Sequence, residues 1–166
     1  MAKRTAMIGI FAAAAIILGY VESMLPVFIG IPGVKLGLAN LCVLYVLETG
    51  HSLSAVLINL IRIFVIGFLF GSLFSIAYSL SGAAVSMAVM IVLIRTRKVS
   101  VPAVSMAGGI AHNMGQLLVA AAVTENTRLL FYGPILVISG ILTGLVNGLV
   151  TAELLRRLPD PDRLIR

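Results

Sequence analysis

Residues 53–71 read LSAVLINLIRIFVIGFLFG, an apolar run with a single charge, Arg62. About 18 consecutive apolar residues suffice for a helix to cross a hydrocarbon core of about 30 Å. The rest of the chain repeats the pattern, with apolar runs at about residues 5–23, 36–49, 73–94, 101–123 and 132–155. The 166 residues are 60% hydrophobic and 11% charged, with a mean hydropathy of +1.14. A soluble domain is roughly half apolar and about a quarter charged. This balance excludes a soluble globular core. The expectation is an all-α integral membrane protein: one domain over residues 1–166, six transmembrane helices, and a basic tail at 156–166.

The runs are separated by helix breakers. Lys3 and Arg4 precede the first, as in a signal peptide, but no small-residue cleavage site follows, so an uncleaved helix is expected. Pro26, Gly30, Pro32 and Gly33 interrupt the chain after it. The second run has about 14 residues and would rise only ~21 Å, so it needs help from the preceding segment or shelter from its neighbours. Thr49-Gly-His-Ser52 separates the second and third runs, with Ser52 a plausible cap. Gly71-Ser72 makes a tight turn, and Pro102 suits a helix start. Pro159 and Pro161 end the last helix.

Charge sets an expected orientation. Six spans put both termini and the 2–3 and 4–5 connections on one side. That side holds Lys3, Arg4, Arg95, Arg97, Lys98, Arg156, Arg157, Arg163 and Arg166, whereas the other holds Lys35 and Arg128. By the positive-inside rule both termini are cytoplasmic and the protein sits in the cell membrane. The net charge of +6 is therefore matched to an anionic lipid bilayer and not to nucleic acid.

Small residues recur four apart, a spacing that lets a second helix approach closely. Ala103, Ala107, Ala111 and Gly115 form one stripe, and Gly140, Gly144 and Gly148 another. In the first helix Gly9 pairs with Ala13, and Ala15 with Gly19. These four are the candidate surface for docking a partner membrane protein.

Polar residues inside the spans are the candidate binding site. Arg62 lies near the middle of its span, where arginine costs ~3 kcal/mol on insertion scales and so needs a partner or a wet cavity. His112 falls at similar depth, sharing a face with Gln116 and lying beside Asn113. Asn40 and Tyr78 lie toward the outer side, and Lys35 stands at the mouth of the second span. The expectation is an outward-opening polar pocket. Arg62 and His112 form its floor, Lys35 its rim and residues 24–35 its lid. Arg62 and Lys35 would attract an anionic or electron-rich small-molecule ligand, Asn40, His112, Asn113 and Gln116 would hydrogen-bond it, and Tyr78 would stack on a ring. The sequence shows no metal-ligand cluster, no Ser/His/Asp set and no phosphate loop. No metal, no cofactor and no catalytic residue is expected: the chain is not read as an enzyme.

The stretches GYVESMLPVFIGIPGVKLGLAN (19–40), FGSLFSIAYSLSGA (70–83), GGIAHNMGQLLVA (108–120) and SGILTGLVNGL (139–149) together resemble the Gx transporter family, also labelled heptaprenyl diphosphate synthase component I. The resemblance runs from about Ile8 to Leu155. That family is similar to the substrate-binding S components of energy-coupling factor (ECF) transporters. The resemblance implies a six-helix S-component-like bundle with ligand bound toward the outer face. It also implies a transmembrane coupling subunit with two ATPases, contacted by Gly9, Ala13, Ala15 and Gly19. The other function implied is a membrane scaffold for a flavin electron-transfer or prenyl diphosphate synthesis partner.

Overall fold

A computed structural model describes residues 2–24 and 36–158. Lys35, the lid residues from 25 onward and the tail beyond 158 lie outside the described residues. Six α-helices follow one another: α1 (Ala2–Met24), α2 (Leu38–Glu48), α3 (Ser52–Phe70), α4 (Leu73–Thr96), α5 (Val101–Val123) and α6 (Gly133–Arg157). A 3-10 turn, Thr127–Tyr132, leads into α6. All helices except α2 are long and apolar enough to cross a membrane. The chain is a multi-pass membrane protein. Its outer surface carries large apolar side chains, among them Ile10, Ile17, Phe68, Leu142 and Val146, for which lipid is the solvent.

Local chemistry sets the helix ends. Ser72 caps α4, its Oγ accepting from the Ser75 N–H at 3.2 Å. Pro102 sits in the first turn of α5, where its missing N–H costs no helical bond. Ser52 is not a cap: it is the first helical residue of α3, and His51 holds the cap position without its side chain capping the helix. Thr49 closes α2, its N–H reaching the Tyr45 carbonyl at 3.2 Å and its hydroxyl the Val46 carbonyl at 2.9 Å.

α1 and α3 run side by side in the same direction. Arg4 Nε donates to Ser54 Oγ at 3.2 Å near their starts, and the Tyr20 and Phe70 rings meet at 5.0 Å near their ends. α5 and α6 run antiparallel along a seam of small residues. A Cβ on Gly144 would stand 2.6 Å from the Met106 Cα, and one on Gly148 2.5 Å from the Pro102 Cα. Gly109 and Gly140 face each other so closely that a Cβ on either would strike the other's backbone. In lipid, helices gain little from burying apolar surface, so such backbone approach supplies the packing.

The α6 stripe therefore meets Pro102, Met106 and Gly109, not the Ala103–Ala107–Ala111 row, which is half-buried. Gly115, the fourth member of that row, instead faces Ser81 and Gly82 of α4. The expected docking stripe of α1 also divides. Gly9 and Ala13 are exposed, and nothing stands within 4 Å of a Cβ on Gly9. Ala15 and Gly19 point inward, Ala15 into the core and Gly19 against Ile66 and Ala39. These two are consumed by internal packing because α1 must lie close to α2 and α3.

α2 is the short member, about 16 Å long from its 11 residues. Val43 and Tyr45–Leu47 are buried in a core with Met7, Ala12, Ala15, Ala55 and Ile58, and Phe11 stacks on Tyr45 at 5.6 Å. Its first residues join the middles of other helices. Asn147, whose Nδ2 donates to the Leu36 carbonyl at 2.8 Å, stands 14 residues past Gly133, roughly 21 Å along α6. The N-terminus of α2 thus opens inside the bundle, sheltered by α1, α3 and α6.

Candidate functional site

Gly37 is where α2 begins. Its φ of 76° is left-handed, a conformation that disfavours any residue with a Cβ. A Cβ there would also lie 2.9 Å from Asn147 Nδ2. Three elements pin this start. Glu22 of α1 accepts from the Gly37 N–H at 2.6 Å, Asn147 of α6 donates to the Leu36 carbonyl, and Arg62 of α3 donates through Nη2 to Asn40 Oδ1 at 3.0 Å.

Arg62 is further held within its own helix, where Nε and Nη2 reach Asn59 Oδ1 at 3.1 and 2.6 Å. The arginine is therefore bonded to two amide side chains, which is how a guanidinium can be kept at this depth.

Beside this knot lies a cavity of about 80 Å³. About 10–15 Å³ of such space holds one water, so several waters or one small ring would fit. Every helix but α1 lines it. α2 contributes Gly37, Asn40, Val43 and Leu44, and α3 contributes Asn59. From α4 come Ala83, Ser86 and Met90, spaced for one face. α5 presents Ser105, Gly108, Gly109, His112, Asn113 and Gln116, a strip about 16 Å long. α6 adds Thr143, Gly144 and Asn147.

Several polar groups face this space with little other employment. Gln116 is 6% exposed and Ser86 and Ser105 are 7% exposed, and no hydrogen bond to another described residue engages their side chains. Asn113 Nδ2 donates to the Leu136 carbonyl at 2.7 Å, and the Thr143 hydroxyl bonds back to the Ser139 carbonyl at 2.9 Å. Gly82 makes the room: a Cβ there would lie 2.7 Å from Gln116 Cγ and 2.8 Å from the His112 carbonyl oxygen.

The structure brings Asn40, His112, Asn113 and Gln116 to one cavity. It does not bring Arg62 or Tyr78 there. Arg62 does not line the cavity and instead directs Nε and Nη2 to the amide oxygens of Asn59 and Asn40, which do. Tyr78 stacks on Phe74 of its own helix at 6.0 Å and does not line the cavity. The site also lies deeper than the sequence suggests, since Ser105 is only four residues past Val101, at the far end from Gln116. Ser86, Ser105 and Asn147 were not among the expected site residues. Asn147 had a readable signal, because it sits one turn from Gly144 on the helix face that the glycine stripe turns inward. Ser86 and Ser105 had none, since an isolated membrane serine usually bonds its own helix.

A family description, heptaprenyl diphosphate synthase component I, matches residues 11–154. The chain belongs to this family. No curated protein and no solved structure is significantly similar to it. The matched range contains all the cavity residues.

Proposed function

We propose that this member of the heptaprenyl diphosphate synthase component I family is the substrate-binding membrane subunit of a small-molecule importer of the ECF type, with no ATPase of its own. The observation that carries the reading is the cavity at the opening of α2. Five helices converge on it with asparagine, glutamine, histidine and serine side chains. Discontinuous helices that open into the bundle interior are how transporters place polar backbone near a solute. A helix-fastening role alone would leave no reason for a buried glutamine without a partner among the described residues.

In this reading the end of the bundle holding Arg4, Arg95, Arg97, Lys98, Arg156 and Arg157 is cytoplasmic. Solute is captured from the opposite side, with Lys35 and the 24–35 segment as the cover. It is released when the helices repack against a coupling subunit that carries ATPases. Gly9 and Ala13 give α1 a flat outward face for that subunit. The ligand class changes from the sequence reading. Among the described residues no Lys, Arg, Asp or Glu lines the cavity, and Arg62 is bonded to Asn40 and Asn59 without lining it, which favours an uncharged polar solute.

The test is mass spectrometry of small molecules extracted from the protein purified in mild detergent, with Gln116→Met alongside. A molecule present in the wild type and depleted in the variant supports the reading. No such molecule, together with recovery of a flavoprotein or a prenyl synthase and no coupling subunit in a pull-down, replaces it with the scaffold.

A further inference from the structure

The hydrogen bonds around the cavity fix which ends of its amides are left over. Arginine only donates, so the two asparagines bonded to Arg62 must turn their oxygens to it. Asn40 and Asn59 therefore have their Nδ2 donors left for the cavity. A backbone carbonyl only accepts, so Asn113 and Asn147 must spend their NH₂ groups on Leu136 and Leu36. These two have their Oδ1 acceptors left. The first wall, from α2 and α3, therefore offers amide donors. The second wall, from α5 and α6, offers those acceptors beside His112 and the hydroxyl of Ser105, which can donate or accept. Gln116 is more than nine-tenths buried, lines the same space and has no partner among the described residues. It can serve either polarity.

We infer that the cavity selects a small uncharged molecule that carries carbonyl acceptors toward α2 and α3 and N–H or O–H donors toward α5 and α6, the chemistry of a cyclic amide or imide. The inference rests on the importer reading and names the solute class of that same site. An anion would find donors on one wall but acceptor oxygens on the other. A cation would meet the reverse conflict. Neither would find an opposite charge among the described lining residues, and a charge buried without a partner is costly. A molecule with both edges satisfies both walls.

The experiment uses the full chain in lipid nanodiscs and three probes of similar size: uracil, a cyclic imide; 1,3-dimethyluracil, which keeps the carbonyls but has no N–H; and benzoate. Binding is read by calorimetry and by the shift in melting temperature. The expected result is saturable binding of uracil, binding of 1,3-dimethyluracil weaker by about tenfold or more, as for loss of buried hydrogen bonds, and no detectable binding of benzoate. Gln116→Met should weaken uracil by a similar factor while melting no lower than the wild type, because it removes a buried amide without a partner.

Equal binding of uracil and its dimethyl form overturns the inference, as does preference for benzoate. Absence of uracil binding overturns it too. These failures are separable from failure of the importer reading. A molecule that co-purifies with the wild type and is lost in Gln116→Met keeps the site while discarding the assigned polarity. If no molecule co-purifies, both fall.

Discussion

The arginine knot gives the sharpest numerical expectation. Asn59→Ala removes two of the three hydrogen bonds that Arg62 makes to side chains, those at 3.1 and 2.6 Å, and leaves only the one to Asn40. Hydrogen bonds to a charged group contribute about 1.5–3 kcal/mol each, so two of them set a ceiling of roughly 6 kcal/mol. Part is recovered because a denatured chain in lipid or detergent also finds partners, which brings side-chain bonds in membranes well below the ceiling. The expected cost is about 2 kcal/mol, or about 30-fold in the unfolding constant. Arg62→Met behaves differently. It removes the charge whose burial costs ~3 kcal/mol on insertion scales, so it should be nearly neutral despite losing all three bonds. Once Arg62 is gone, Asn59 has no charged group left to hold. The double variant should then match Arg62→Met alone, giving a coupling of about 2 kcal/mol in the cycle. Equilibrium unfolding in mixed micelles, monitored by helix content, measures all four species. If the two single effects add to within ~0.5 kcal/mol, the residues are not coupled and the knot does not hold the helix start.

Further expectations concern packing and the start of α2. Gly109→Ala pushes a methyl group into the Gly140 backbone, so it should cost about 1–3 kcal/mol by the usual penalty for overpacking; Gly9→Ala, with nothing near it, should be neutral or stabilising by up to ~1 kcal/mol. The contrast, read from melting temperatures in detergent, fails if both variants behave alike. Gly37→Ala should cost about 1–2 kcal/mol from left-handed backbone strain alone and more from the approach to Asn147, and it should weaken solute binding. Unchanged melting and binding would mean that α2 does not open where described. Gly82→Ala should reduce solute binding more than stability, because the added carbon crowds the movable Gln116 side chain as well as the His112 carbonyl; calorimetry beside a melting curve separates the two.

Much of the architecture is legible in the apolar runs. The observed helices begin and end within three residues of them, because lipid forces each polar backbone group to pair inside its own helix and each helix to be apolar. Asn40, His112, Asn113 and Gln116 are legible as a cluster because polar residues inside a membrane are costly enough to need a reason. Arg62 drew attention for the same cause, but the sequence does not say whether a charge meets ligand or protein. That depends on which side chains from α2 and α3 take up its donors, and Asn40 and Asn59 do.

The sequence by itself determined the solvent, the helices and the family, since these depend on local composition and run length. The tertiary structure decided that α2 opens within the bundle at Gly37, that Ala15 and Gly19 pack inward while Gly9 and Ala13 stay exposed, and that Arg62 bonds the lining asparagines and does not itself line the site. It also decided the polarity of the cavity walls. Whether an asparagine offers its donor or its acceptor depends on what occupies its other end. In this protein that is an arginine within α3 or across from α2, and a carbonyl as many as 111 residues away in the chain.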